Sequence, residues 1–281
     1  MSALAITWGA GPASAIAYGE DVPDGDYPFS VRLAMTGLPA AGGGTRDSSC
    51  SGALVAPAWV ITAGHCFRDE DGTHVSRTVA RRTTATVGRT DLDGGGGHEI
   101  EVVEVHQADG ADVALARLAD PVADVEPLRI ATAAPRPGER VRLTGYGRTE
   151  RTGEENAGRL QTGSFTVGAV GETLTEFSGR APRRDTSACR HDSGGPYFRE
   201  RSGGPELVAV VSTGPGCPHP GADLGARTDT LRGWITATVN GRSDPLDGLS
   251  ATLGGLLVLL LVAPPAAYAV LRRQRHARHR S

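Results

Sequence analysis

The sequence contains many short runs of β-branched or alternating apolar residues, each ended by Gly, Pro or Asp, and this pattern restricts the fold more than any other feature. The runs predict strands over residues 27–35, 83–87, 99–105, 112–118, 139–144, 159–167, 173–177 and 206–211. Residues 230–240 have the spacing of a helix. Many short strands followed by one helix predict an all-β fold, a sandwich or a barrel. A Pro-containing stretch over 120–138 divides the strands into two groups, so we predict two barrels in one compact unit.

The composition is that of a folded protein without a surface for nucleic acid. Its 39 Gly and 18 Pro make about a fifth of the 281 residues, below the roughly 25–30% typical of disordered chains. The net charge is −3 although five Arg lie in the last ten residues, so the rest of the chain is acidic. This distribution argues against a nucleic-acid partner. All 29 basic residues are Arg, which indicates a GC-rich genome.

An apolar segment near the carboxyl end predicts one membrane-spanning helix. Residues 249–271 contain no charged side chain, and at about 1.5 Å per residue a helix of this length covers roughly 34 Å, enough to cross a bilayer core. Pro264 and Pro265 would kink the helix without preventing its insertion. The alternatives are a buried core helix, a cell-wall sorting tail that is cut off, and a secreted protein.

Charges beyond this segment predict its orientation. The tail 272–281 contains five Arg and no acid, and positive flanks stay on the cytoplasmic side of a membrane. The larger part of the protein would then lie outside the cell. The linker 241–248 spans at most about 28 Å when fully extended, so the folded domain would work close to the outer face of the membrane.

The amino end also indicates export. Residues 4–17 are small and apolar but lack the basic start of a good signal peptide. The Ala-Ser-Ala sequence that ends at Ala15 fits a small-x-small cleavage site, so we interpret residues 1–15 as a signal-like segment. Its removal would make Ile16 the new amino terminus.

The cysteines favour disulfides over a metal site. Their number is even, as an oxidising compartment favours, and they are Cys50, Cys66, Cys189 and Cys217. No pair has the C-x-x-C spacing, so a zinc or redox site is the weaker interpretation. We expect neither a metal nor another cofactor.

Three short segments contain residues that can act together as a nucleophilic site. They are Val-Ile-Thr-Ala-Gly-His-Cys around His65, Ala-Asp-Val-Ala-Leu around Asp112, and Cys-Arg-His-Asp-Ser-Gly-Gly-Pro around Ser193. A serine hydroxyl is a poor nucleophile until an imidazole removes its proton, and a carboxylate must hold that imidazole in one tautomer. A lone Ser near Gly is usually a turn, but three independent segments in the order His, Asp, Ser predict a catalytic set.

These segments resemble the trypsin and chymotrypsin family of serine proteases, and the resemblance extends from Ile16 to about Asn240. Further segments that are similar to the family are Gly145-Tyr146-Gly147, Leu160-Gln161, Val211-Ser212-Thr213-Gly214 and Trp234-Ile235. The resemblance implies two six-stranded antiparallel barrels with a carboxyl-terminal helix. It also implies a serine endopeptidase. Together with the apolar segment and the short linker, it leads us to expect a monomer of bacterial, actinobacterial type that is tethered to the membrane and cleaves proteins or peptides near the cell surface.

The resemblance implies a role for each residue of the set. His65 acts as general base on Ser193 and then as general acid to the leaving amine, while Asp112 orients the imidazole. Ser212 supports Asp112 through a hydrogen bond. Asp192 is not part of the triad, because in this family the carboxylate at that position pairs with the ammonium of a processed amino terminus, here Ile16. The implied disulfides are Cys50–Cys66 and Cys189–Cys217.

One position departs from the family. Backbone N–H groups of His191 and Ser193 would form the oxyanion hole, yet the family has glycine where this chain has His191. A residue other than glycine with a left-handed backbone conformation costs about 1–2 kcal/mol. A flipped peptide would avoid this conformation, but it would point a carbonyl into the oxyanion hole. The alternative function is therefore a catalytically impaired homologue that binds proteins at the membrane without cleaving them.

The specificity pocket is predicted from three positions. Ser187 stands where the family has the pocket floor, and Gly214 and Gly225 stand where small residues leave the pocket open. This combination favours a sizeable apolar or aromatic side chain before the scissile bond. Arg227 would lie near the back of the pocket, where Asp185 or Asp223 could approach it, although solvated loop residues are the favoured interpretation of both acids.

Overall fold

The computed structural model describes residues 15–40, 42–148 and 157–241. Residues 1–14 of the signal-like segment, the linker beyond Gly241, the apolar segment 249–271 and the basic tail lie outside these ranges. Within the ranges, no helix is long and apolar enough to cross a membrane.

The first barrel follows a two-residue strand, β1 (Glu20–Asp21). Its strands are β2 (Ser30–Pro39), β3 (Thr45–Ala56), β4 (Trp59–Thr62), β5 (Arg82–Val87), β6 (His98–Gln107) and β7 (Ala114–Leu118). They close in the order β2-β3-β4-β7-β6-β5, and every neighbouring pair is antiparallel. A 3-10 helix over Gly64–Phe67 follows β4.

The second barrel follows the short strand β8 (Arg129–Ile130). Its strands are β9 (Arg140–Gly145), β10 (Gln161–Val170), β11 (Leu174–Ala181), β12 (Pro196–Arg199), β13 (Glu206–Thr213) and β14 (Ala222–Arg227). They run in the order β9-β10-β11-β14-β13-β12, and β12 pairs with β9 to close the ring. A 3-10 helix over Asp229–Leu231 leads into helix α1 (Arg232–Val239). The prediction of two six-stranded antiparallel barrels and one terminal helix is confirmed.

The barrels have different cores because their strands supply different inward side chains. In β2, the alternating residues Val31, Leu33 and Met35 are buried, as expected of a strand with one face toward a core. The first barrel is filled mainly by aliphatic residues of this kind. In the second barrel, the rings of Phe177 and Tyr197 stack with their centroids 3.9 Å apart, and both residues are fully buried.

Two disulfides hold the segments on which the site is built, and their pairing confirms the prediction. Cys50–Cys66 joins β3 to the 3-10 helix that contains His65, with a sequence separation of 16 residues. Cys189–Cys217 joins the segment before Ser193 to the loop after β13, with a separation of 28 residues. In the chain-entropy account each such bridge stabilises the fold by about 3 kcal/mol.

Candidate active site

His65 and Asp112 lie on turns that the first barrel brings together. β4 and β7 are antiparallel neighbours with Thr62 opposite Ala114, so the turn after β4 lies beside the turn before β7. The backbone N–H of His65 donates to Oδ1 of Asp112 at 2.7 Å, and Nδ1 of His65 lies 2.8 Å from Oδ2. The backbone contact holds the carboxylate beside His65, and the contact to Nδ1 orients the imidazole. Asp112 precedes β7 rather than beginning a strand at residue 112 as the sequence predicts.

The second barrel supplies a further donor to the same carboxylate. Ser212 in β13 donates a hydrogen bond from its hydroxyl to Oδ2 of Asp112 at 2.6 Å. Burial alone raises the pKa of Asp112, but the hydrogen bonds and charge of His65 and the bond from Ser212 outweigh it and lower the pKa to about 2. Asp112 is therefore ionised at neutral pH.

Ser193 lies in the turn before β12. This turn makes backbone hydrogen bonds to both barrels. Its carbonyl accepts a hydrogen bond from Ser51 N–H at 2.9 Å, and the next residue, Gly194, donates to Val211 O at 2.8 Å. Gly194 has a φ of 81°, and a Cβ there would lie 2.0 Å from Oγ1 of Thr62, so only glycine fits. Ser193 lines one cavity together with His65 and a second cavity bounded by β13.

His191 has the left-handed backbone that its position in the turn requires, with a φ of 74°. The carbonyl of Arg190, which precedes it, accepts the N–H of Arg148 at 2.7 Å, and its own carbonyl accepts the Ser51 hydroxyl at 3.1 Å. Both carbonyls are therefore held by donors of the protein. In a trans peptide the N–H points opposite to the C=O, so the N–H of His191 is directed away from Arg148.

The imidazole of His191 is uncharged at neutral pH. Burial lowers its pKa, and the positive charges of Arg148, Arg190, Arg32 and Arg46 lower it further, to about 4.

Asp192 lies in a closed space beneath the turn. Its side chain is fully buried, and its two oxygens accept the backbone N–H groups of Gly147 and Cys189, each at 2.9 Å. A Cβ on Gly147 would lie 2.6 Å from the carboxylate, which explains why the Gly-Tyr-Gly segment needs its second glycine. Burial raises the pKa of Asp192 well above its usual range, and among the described residues no cation pairs with it. Ile16 is fully buried within the core of the second barrel.

Comparison with known proteins decides the family. The trypsin family matches residues 16–235 of the chain, which is more than half of its length. The chain belongs to the trypsin family of serine proteases. It is therefore a serine-type endopeptidase, a hydrolase that acts on proteins or peptides.

Individual relatives support this placement. A trypsin-like protease of Streptomyces glaucescens is 28% identical over 72% of this chain and 74% of its own length. A trypsin of Saccharopolyspora erythraea is 29% identical over 78% of this chain and 97% of its own length. Among solved structures, neuropsin, a serine protease of mouse brain, has a TM-score of 0.62 at 21% identity over 80% of this chain and all of its own, which supports the fold.

A cavity beside Ser193 contains only part of the lining predicted for the specificity pocket. Gly214 and Asp223 line it, whereas Ser187 is fully buried and is not among the lining residues. Gly225 does not line it either, because a Cβ there would lie 2.6 Å from the ring of Phe177, inside the second barrel. Asp223 and Gly225 lie two residues apart on β14, a distance of about 7 Å. Asp223 therefore reaches the cavity, while Gly225 lies in the interior of the second barrel.

The other charges assigned to the pocket lie elsewhere. Arg227 pairs with Asp229 at 2.7 Å and donates to the carbonyls of Gly171 and Glu172, so its expected place at the back of the pocket is wrong. Asp185 pairs with Arg183 at 3.0 Å. The part of the chain that the structure describes contains no group of three or more His, Cys, Asp or Glu side chains arranged to hold a metal ion.

The strained backbone at His191 leads to a prediction about stability. Replacing His191 by Gly should raise the free energy of unfolding by about 1 kcal/mol, because glycine adopts a positive φ without the cost paid by other residues. His191→Ala is the matched control, since it removes the imidazole and keeps the strain. Urea unfolding of the three proteins measures the effect, and equal stabilities of the Gly and Ala variants would contradict it.

Proposed function

We propose that this endopeptidase cleaves peptide bonds through a triad of His65, Asp112 and Ser193. The observation that carries the proposal is the pair of contacts between His65 and Asp112, which leaves Nε2 as the ring nitrogen available to a serine hydroxyl. The low pKa of Asp112 supports it, because a permanently ionised carboxylate stabilises the imidazolium that forms when Ser193 loses its proton.

In the proposed reaction, Oγ of Ser193 attacks the scissile carbonyl carbon as its proton moves to Nε2 of His65. The negative oxygen of the tetrahedral intermediate is stabilised by the backbone N–H groups of His191 and Ser193. The C–N bond then breaks, the leaving amine takes the proton from His65, and an acyl-enzyme remains. Water, deprotonated by His65, releases the acid product and restores the hydroxyl.

The alternative, a homologue that binds without cleaving, depends on His191. A flipped peptide would require the carbonyl of Arg190 to leave the N–H of Arg148, to which it is bonded at 2.7 Å. Loss of one oxyanion donor reduces turnover by a factor on the order of 10²–10³. The observed contacts therefore favour an enzyme that cleaves peptides over a homologue that only binds them. The experiment must test whether Ser193 is a nucleophile.

We further propose that processing after Ala15 completes the site. An ammonium group on Ile16 would pair with Asp192, whose burial without a cation is otherwise costly. Because the signal peptidase itself would create this terminus, no separate activation step would be needed.

The apolar segment 249–271 and the basic tail 272–281 support a proposal about location. We infer that the protein is anchored by one helix with its tail in the cytoplasm and its protease domain outside, as a monomer that acts on proteins or peptides near the surface. The arginine-only composition also supports a bacterial, actinobacterial-type origin, although its relatives include animal as well as bacterial proteases.

The triad is tested with a fluorophosphonate probe and a peptide library. Wild-type protein should be labelled on Ser193 and should cleave peptides, whereas Ser193→Ala should do neither. Asp112→Asn should lower kcat by about 10⁴-fold, because the amide no longer selects the reactive tautomer of His65. Equal cleavage by wild-type and Ser193→Ala protein would contradict the triad, and an unlabelled wild-type protein would favour the impaired homologue.

The processed terminus is tested by sequencing the mature protein and by blocking the cleavage. We expect Ile16 as the first residue. Ala15→Glu should prevent cleavage, because signal peptidases require a small residue there, and should reduce peptidase activity although the triad is intact. A different first residue, or full activity of the uncleaved variant, would overturn the assignment.

Membrane anchoring is tested by carbonate extraction of cell membranes. The wild-type protein should stay in the membrane fraction. Leu257→Arg/Leu260→Arg should be released, since each arginine at the centre of a spanning helix costs about 2.5–3.5 kcal/mol. Leu257→Ile/Leu260→Ile is the matched control, and carbonate-soluble wild-type protein would exclude the anchor.

A further inference from the structure

The residues that follow the proposed cleavage site form a turn that contains a strained tyrosine. The carbonyl of Ile16 accepts the N–H of Gly19 at 2.6 Å, and Tyr18, the third residue of this turn, has a φ of 56°. Turns with a positive φ at the third position normally have glycine there, because a side chain raises the energy of this backbone conformation. Tyr18 is only half-buried, so it is not needed to fill a core. An outlier of this kind indicates a role for the side chain that offsets the strain.

The ring of Tyr18 is covered by a cation from the loop after β11. The guanidinium carbon of Arg183 lies 3.7 Å from the ring centroid, which is the geometry of a cation–π contact. Nε and Nη2 of Arg183 each donate to one oxygen of Asp185 at 3.0 Å. The backbone N–H of Arg183 donates to Oγ1 of Thr186 at 3.1 Å. The guanidinium is therefore held over the ring by contacts within its own loop.

The loop that contains Arg183 also binds the terminal segment and leads to the carboxylate beneath the active site. The N–H of Ala17 donates to the carbonyl of Ser187 at 2.9 Å. Two residues further along the loop, the N–H of Cys189 donates at 2.9 Å to Asp192, the group to which the ammonium of the processed terminus would bind. A contact between this loop and the terminal segment therefore acts on the position of the ammonium relative to its carboxylate.

We propose that the stack of Tyr18 on Arg183 is a latch that keeps the processed amino terminus in contact with Asp192. The two members of the latch are positioning residues, because neither lines a cavity beside Ser193. The inference rests on the proposed cleavage after Ala15, which creates the ammonium. It adds a contact that holds the terminus in place once it has formed, so the fraction of molecules with a complete site depends on the latch.

The composition of the chain allows the latch to be measured directly. The sequence contains no lysine, so the α-amino group is the only primary amine of the protein. An ammonium paired with the buried Asp192 is protected from acylation, and it reacts only when the terminus leaves this carboxylate. The rate at which N-hydroxysuccinimide acetate adds one acetyl group therefore reports the release of the terminus. Mass spectrometry of the full-length Ser193→Ala protein gives this rate and the first residue together, and it requires no working nucleophile.

Acetylation of the terminus should be faster when the latch is broken. Tyr18→Ala keeps the positive φ and removes the ring, whereas Arg183→Gln keeps the ring and removes the cation. Each should increase the acetylation rate by a factor of about 2 to 5, as expected of a partly exposed cation–π contact. The double variant should be no faster than the faster single variant, because the two residues act through one contact. Tyr18→Phe retains the aromatic ring and should keep the wild-type rate.

Arg227→Gln is the matched control, because Arg227 makes the same kind of pair with the aspartate two residues later in the chain. Its remaining bonds are to carbonyls of residues 171 and 172 and not to the terminal segment. This variant should lower the free energy of unfolding in urea and leave the acetylation rate unchanged, which separates release of the terminus from a general loss of stability.

The outcomes distinguish the latch from the cleavage on which it rests. If Ile16 is the first residue but Tyr18→Ala and Arg183→Gln react at the wild-type rate, the latch is overturned and the processed terminus stands. An equal acceleration by Arg227→Gln would overturn the latch as well. A first residue other than Ile16 would overturn the proposed cleavage, and the latch with it.

Discussion

The site depends on the carboxylate of Asp112, because that group is bonded to both barrels. It accepts two contacts from His65 in the first barrel and one from Ser212 in the second. These donors meet only when the two barrels are packed together, so the ionisation of one partly buried side chain is linked to the packing of the barrels. The pKa of about 2 expresses this linkage, since the folded protein stabilises the charged form relative to the unfolded chain. The stabilisation is present above the ordinary pKa of an aspartate and is lost as the pH falls toward 2.

Close backbone packing provides a second constraint on the same region. The turn that contains Ser193 touches β3 through Ser51 and β13 through Val211. Gly194 permits this approach because any side chain there would overlap Thr62. His191, by contrast, keeps a glycine-like φ although it has a side chain. Strain at such a position persists where surrounding contacts determine the conformation, and the bonds to Arg148 and Ser51 are contacts of that kind.

The sequence predicts those parts of the molecule that short segments specify. The short segments around His65 and Asp112 single out both residues, and the pairing of β4 with β7 brings them into contact. Four barrel strands, β3, β4, β12 and β14, escape prediction. Ser, Gly and Asp interrupt the apolar pattern of β3 and β14, and β4 and β12 have only four residues each. These strands are buried by neighbouring strands that are distant in the sequence, and local β-propensity carries no information about those contacts.

The pocket is mispredicted for a related reason. The loop from Cys217 to β14 contains Pro and Gly, and it has no apolar pattern that would show where the strand begins. Asp223 and Gly225 lie two residues apart on β14, about 7 Å from one another, and Asp223 lines the cavity while Gly225 lies in the interior of the second barrel. The cavity therefore contains a carboxylate beside Gly214, while the predicted fold is unaffected.

Asp192 and Asp223 complete the electrostatic organisation of the second barrel. Both are buried, both accept backbone N–H groups, and burial raises the pKa of each. The charge of Asp223 also raises the pKa of Asp192, so the two carboxylates disfavour each other's ionisation. Asp223 has a partner within the barrel, because Nε2 of His219 lies 3.0 Å from its Oδ1. Asp192 has no such partner among the described residues, and in our proposal the ammonium of the processed terminus supplies one, which favours the ionised form of this carboxylate.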